Sequence, residues 1–458
     1  MRAPGAMVGI ARRSVAARRP AFAATAIAVL LGTTLLFAFL TLLQSGLAGD
    51  VSSEDRTTLT MIAAVVGGWS IVIVLFSVVS TLGVMIARRT EELSLLRTVA
   101  LTRRQVRRMV VGETLIVSLS AAVAGLAPGA LVGFGVLRAL AGSGLISDGV
   151  GFHVGTLSIG SSLAAMTLAA AVAATFAARR ATAAAGAEQM RAALADAQRG
   201  RLGRKRKRFA LGLVALGVVY ASVTITVTGS SDDYYAAMST AGSASVFASI
   251  GLALLAPGLL RIAAGAASRL GAGDVSRFLA LRNARQRPGA LAGALMPVIV
   301  LVGIATGTLI MVSVDAANGM LDAGGPGDQG TELLNYLVVG MISLFAAIMV
   351  VNTLTAAVAD RRRELALQRL AGSTRGQVER MVVCEALLIA VVGIAVGLVG
   401  SLATTVPYMA VKHTWILATG AWLFAAVAAV ALTVTVGAAR LAVRRVVAEA
   451  PTRELLAA

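Results

Sequence analysis

Two glutamates, Glu113 and Glu385, stand just inside long apolar runs. A carboxylate is expensive in hydrocarbon, so each must snorkel to the surface, pair with a nearby arginine, or serve a movement. Little else in the chain is equipped for chemistry. The two histidines, His153 and His413, lie far apart with no neighbouring His or Cys. A single cysteine, Cys384, excludes an intrachain disulfide and any Cys-cluster metal site. The three lysines, Lys205, Lys207 and Lys412, all fall outside a Gly-x-x-x-x-Gly-Lys-Ser/Thr pattern, so no P-loop is present to bind ATP. The chain reads as a non-enzyme without a cofactor or metal of its own.

The elements that carry the glutamates are built for lipid. Hydrophobic residues make up 57% of the chain and charged ones only 14%, against about 25% charged in a soluble domain. A bilayer core needs about 20 apolar residues per helix. Ten stretches qualify: 21–44, 61–86, 110–137, 158–178, 209–228, 241–262, 289–313, 333–358, 381–405 and 416–438. The first is too long for a signal-peptide core and is expected to be an uncleaved anchor.

Charge gives the orientation. With a cytoplasmic N-terminus, 38 of the 41 Lys and Arg residues fall in inside segments, leaving Arg56, Arg138 and Lys412. The outside loops carry acids instead, among them Asp55, Asp148 and Asp315. This is the positive-inside asymmetry of a multi-pass membrane protein, with both termini cytoplasmic. The net charge of +19 therefore reflects topology and contact with membrane lipids, not nucleic acid. The run Arg199–Arg208 abuts a span and reads as an anchor.

One phrase occurs twice. Residues 88–115 and 360–387 share 15 identities at a constant offset of 272, without a gap. The pairs include Glu92 with Glu364, Arg97 with Arg369, Thr102 with Thr374, Arg103 with Arg375, Gln105 with Gln377, and Glu113 with Glu385. Upstream, Arg13–Pro20 resembles Arg282–Pro288, each opening an apolar span. Two four-span units follow, residues 1–180 and 289–458. Between them lie a basic linker (181–208), two linking spans (209–262) and an interfacial segment (263–288). Six spans separate equivalent points, so the units share one orientation.

Within the phrase, Leu93, Leu96, Val99 and Ala100 recur at helical spacing. The register then breaks, most strongly at Ala371-Gly372-Ser373-Thr374. Thr102 and Thr374 suit N-caps. The expected local structure is a short helix, a turn and a new span. Two matched turns facing the cytosol imply a two-fold cytosolic partner. Further along, Gly125, Gly129 and Gly133 form a ladder of small residues, and Gly393, Gly397, Ser401 and Thr405 form another. Such ladders serve close helix packing, with a sliding surface for gating as the sharper reading.

The phrase resembles the signature region of the FtsX-like permease family, the type VII or MacB-like ABC transporters. The resemblance covers both four-span units, about two thirds of the chain. It implies an all-α integral membrane protein of ten transmembrane helices, arranged as two parallel four-helix repeats plus two linking helices. It also implies that a homodimer of a cytosolic ABC ATPase, carrying ATP and Mg, docks on the turns Arg97–Val106 and Arg369–Val378. Two departures stand out. Ala100 occupies the place where the family usually has the glycine found at Gly372, and the large extracytoplasmic domain typical of the family is missing.

The expected activity is ATP-driven export or extraction of an amphiphile (a lipid, peptide or antibiotic) across a bacterial cytoplasmic membrane. The alternative is a non-transporting mechanotransmission subunit that controls an outer-surface enzyme or sensor. An ion-coupled transporter is disfavoured, because no expected span has a central ionisable residue.

Overall fold

The computed structural model describes residues 19–49, 51–64, 67–68, 103–183, 203–230, 234–269, 273–318, 361–416 and 421–448, with short helical stretches between 339 and 358. They are helical almost throughout, and no strand occurs among them. An uninterrupted apolar run in lipid must satisfy its backbone internally, which a helix does. Eight described helices are long and apolar enough to cross a membrane. The expected spans at 61–86 and 333–358 fall largely outside the described residues. The described residues form two compact units, one within Met1–Met190 plus Leu321–Met341 and one within Arg191–Met320 plus Ile342–Ala458.

The first unit holds α1 (Arg19–Gly46), a short helix over residues 53–64, α2 (Arg103–Gly142) and α3 (Thr156–Ala183). Helices α1 and α2 make the most extensive pair, and α3 packs on both. The glycine ladder of α2 is what brings α1 close. A Cβ on Gly125 would stand 2.6 Å from the Leu30 carbonyl oxygen, and one on Gly129 would stand 2.8 Å from that of Thr34. At Gly133 the obstacle is the Thr41 hydroxyl. Thr34 Oγ1 also donates across the pair to the Gly125 carbonyl at 3.3 Å.

Hydrogen bonds tie the far end of this unit. Gln44 Oε1 accepts from the Ser158 N–H at 3.0 Å, and Ser45 Oγ accepts from the His153 N–H at 3.0 Å. The buried Asp55 carboxylate accepts from the Ser147 N–H at 3.1 Å, the Ser147 hydroxyl at 2.7 Å and the Ser52 hydroxyl at 2.8 Å. Burial pushes this carboxyl up, but the three hydrogen bonds outweigh it and hold it below the usual range.

The second unit holds α4 (Arg204–Thr226), α5 (Tyr234–Leu254), α6 (Ala256–Arg269), α7 (Val275–Gln286), α8 (Pro288–Ala317), α9 (Arg362–Leu370), α10 (Arg375–Val411) and α11 (Ala421–Ala448). The pair α8–α10 is its centre, with α8 almost enclosed by neighbours. Gly393 and Gly397 of α10 lie against Val298, Ile299 and Val302 of α8. The linking helix α5 packs on both α8 and α10, and α4 packs on α5. Its seam is polar: the Ser245 N–H donates to Thr404 Oγ1 at 3.1 Å, and the Thr404 hydroxyl donates to the Ala241 carbonyl.

Three boundaries differ from the sequence reading. The span expected at 241–262 is α5, which stops at Leu254. A proline is best accommodated in the first turn of a helix, and Pro257 is the second residue of α6, after the break at Leu255. The interfacial segment thus begins before residue 263, as two short helices. The basic linker expected through residue 208 ends earlier, because Arg204–Arg208 already form the start of α4. Asp315, expected in an outside loop, is buried in the last turn of α8. There it accepts from the Tyr408 hydroxyl at 2.7 Å and 2.9 Å.

Candidate functional site

The second copy of the repeated phrase folds as α9, a turn and α10. Helix α9 buries Leu365 and Ala366 and leaves Leu367 and Leu370 half exposed. It ends in a Schellman motif. The Ser373 N–H donates to the Gln368 carbonyl at 3.1 Å and the Gly372 N–H to that of Arg369 at 3.1 Å. This closure requires a left-handed residue at the first position past the cap, and Gly372 has φ +102°.

Thr374 then caps α10. Its hydroxyl accepts from the Gln377 N–H at 3.3 Å while Gln377 Oε1 accepts from the Thr374 N–H at 2.9 Å. The two close a capping box. Chain reversal is therefore accomplished by residues 371–374, with both helix ends satisfied. Arg375 and Gly376 are exposed at its tip.

Behind the turn lies a chain of ionic contacts. Glu385, with its side chain 3% exposed, accepts from Arg361 Nη1 at 2.6 Å and from Asn283 Nδ2 at 2.8 Å. Arg361 also approaches Glu364 at 3.5 Å, and Glu364 accepts from Arg287 at 2.9 Å. Burial lowers the Arg361 pKa, but the charges of Glu385 and Glu364 prevail and hold it above its ordinary value. The chain joins α7, the residue before α8, the base of α9 and the buried side of α10. Two further contacts brace the turn. Arg369 donates to the Val447 carbonyl near the end of α11 at 3.1 Å, and Ser276 Oγ donates to the Gln377 carbonyl at 3.3 Å.

These contacts give several residues expected to face a partner bonds within the unit. Gln377 is engaged in the Thr-x-x-Gln capping box. Glu364 and Arg369 have polar atoms bonded within the unit, to Arg287 and to the Val447 carbonyl, and so help to position α9. Gly372, Thr374 and Arg375 remain on the exposed face, with Leu367 and Leu370 beside them. Sequence reasoning did not single out Asn283, Arg361 or Arg287. Asn283 has no short-range signal, since its partner lies 102 residues away.

In the first copy, Glu92, Arg97 and Thr102 lie outside the described residues. Arg103 stands at the first described position of α2, 272 residues before Arg375 at the start of α10. Gln105 is exposed and Glu113 buried. Among the described residues no group of three or more His, Cys, Asp or Glu is arranged to hold a metal.

A family model described as FtsX-like permease C-terminal matches residues 64–185 and again 336–451. The two matches cover just over half of the 458 residues, and each contains one copy of the repeated phrase. This chain belongs to the FtsX-like permease family. Its membership and its apolar helices make it a multi-pass transmembrane permease of the ABC transporter class. FtsX-like permeases are generally non-catalytic membrane subunits that partner with ABC ATPases. No curated protein matches this permease.

Proposed function

We propose that this permease is the membrane half of an ATP-driven exporter of an amphiphile, with both termini in the cytoplasm of a bacterium. A cytosolic ATPase homodimer docks on two repeated turns, one at each copy of the phrase. The observation that carries this reading is the construction of the second turn. Its reversal is locked by a Schellman motif and a capping box, and its ends are tied to α11 and α7. Yet it exposes Leu367, Leu370 and Arg375. A rigid platform with unspent apolar and basic surface suits docking, and Arg is over-represented among interface hot spots. The repeat of the phrase at 88–115 and 360–387 supports a second platform of the same kind, in a ten-span chain of two parallel repeats. ATP and Mg sit on the partner.

The test is charge reversal at the two matched positions, Arg103→Glu with Arg375→Glu. Surface changes away from special features alter stability by within about 0.5 kcal/mol, so abundance and insertion should hold. Loss of an interface hot spot costs about 2 kcal/mol or more, which is at least about thirtyfold in affinity for each turn. Permease-stimulated ATP hydrolysis and copurification of the ATPase should both be lost. Normal stimulation by the double variant at normal abundance refutes the proposal.

A further inference from the structure

Helices α6 and α7 are held at the membrane surface by their connections. Leu255 alone separates α5 from α6, and Arg287 alone separates α7 from α8. One residue reaches at most about 3.6 Å, so neither helix can leave the surface where α5 ends and α8 begins. At 14 and 12 residues they are also too short to cross a bilayer, which takes about 20. They pack on one another, and Arg285 donates to the Ser268 hydroxyl between them at 3.3 Å.

Their inner faces are used. Pro257, Leu260 and Ala264 of α6 are buried, as are Ala280, Leu281 and Ala284 of α7. Their outer faces carry two kinds of residue that water alone does not explain. Ile262, Val275 and Phe278 are large, apolar and exposed. Beside them Arg269, Arg277 and Arg282 are exposed. From Ala256 to Arg287 the chain has six arginines and a single acid, Asp274. On α7 the exposed stripe Val275, Phe278, Arg282 and Arg285 runs at helical spacing, apolar at one end and basic at the other.

From this arrangement we infer that α6 and α7 form an in-plane platform that binds anionic phospholipid headgroups. Phe278, Val275 and Ile262 enter the boundary between headgroups and acyl chains. The arginines take phosphate oxygens, in the manner of an interfacial amphipathic helix. Arginine near an anionic surface favours lipid binding by about fivefold per residue. The same α7 supplies Asn283 to Glu385, so bound lipid bears on the element behind the docking turn.

The test uses the full chain with Phe278→Trp as the reporter and with Trp69, Trp415 and Trp422 replaced by Phe. It is placed in phosphatidylcholine nanodiscs containing equal fractions of either brominated phosphatidylcholine or brominated phosphatidylglycerol. Both lipids should quench the reporter, phosphatidylglycerol more strongly, and the excess should shrink as salt screens the charges. Adding Arg277→Gln and Arg282→Gln should lower the phosphatidylglycerol enrichment by about thirtyfold while leaving quenching by brominated phosphatidylcholine. Equal quenching of the parent reporter by the two lipids overturns the proposal. So does absence of quenching by both lipids with ATPase binding lost in the arginine variant, which would make the face a protein-docking surface.

Discussion

Replacing Arg361 by Met should damage the permease more than neutralising the glutamate it holds. Arg361→Met leaves Glu385, almost wholly enclosed, with Asn283 as its remaining described partner. Removing one member of a buried pair costs about 3–5 kcal/mol. Glu385→Gln is milder. The single amide oxygen can keep the bond from one of Arg361 and Asn283 while its NH2 faces the other donor, and Arg361 keeps Glu364 at 3.5 Å and is 15% exposed. A lost hydrogen bond to a charged group costs about 1.5–3 kcal/mol.

The double variant Arg361→Met with Glu385→Met removes both charges and fills the space with apolar atoms, a change that is often near neutral. It should therefore be more stable than Arg361→Met alone. With Glu385→Met as the second single variant, denaturant unfolding of the detergent-solubilised proteins closes a cycle that gives the interaction energy directly. A double variant whose cost equals the sum of the single costs refutes the idea that the pair, rather than each residue separately, holds α9 to α10.

Two other outcomes follow from the first unit. Gly125→Ala should destabilise by about 1–3 kcal/mol, because its Cβ meets the Leu30 backbone at 2.6 Å, whereas Gly112→Ala on the same helix meets nothing within 4 Å and should not; unfolding midpoints compare them, and equal effects refute the close-packing account. Asp55 has a depressed folded pKa, so its stabilisation is complete above about pH 3.9 and is lost as pH falls through the folded value. Acid titration of the wild type should show this loss, and Asp55→Asn should lack it.

The sequence carried the spans well because hydropathy is a local property of about twenty residues. It also carried the turn: Thr374 as a cap and Gly372 as a breaker follow from neighbours in the chain. Gln377 is readable too, since Thr-x-x-Gln is a local pattern. What lay beyond reach was tertiary. Asp315 sits among acids that mark outside loops, and only Tyr408, 93 residues later, draws it into the core. Glu385 pointed to nearby arginines, and Arg361 fits that expectation, but nothing near Asn283 announces its bond.

The left-handed glycine in the second turn has a kinetic consequence. Ala100 stands where Gly372 does, and a left-handed conformation costs a residue with a Cβ about 1–2 kcal/mol. A first turn built like the second would carry that penalty at Ala100. An ATPase homodimer docked as proposed would then rest on two unequal footings. Its two nucleotide sites, identical in sequence, would acquire a preferred firing order imposed by the permease. The asymmetry would be largest when the stroke loads the turns. Gly372→Ala should shrink it, making the two ATPase sites more alike while lowering the coupling of both.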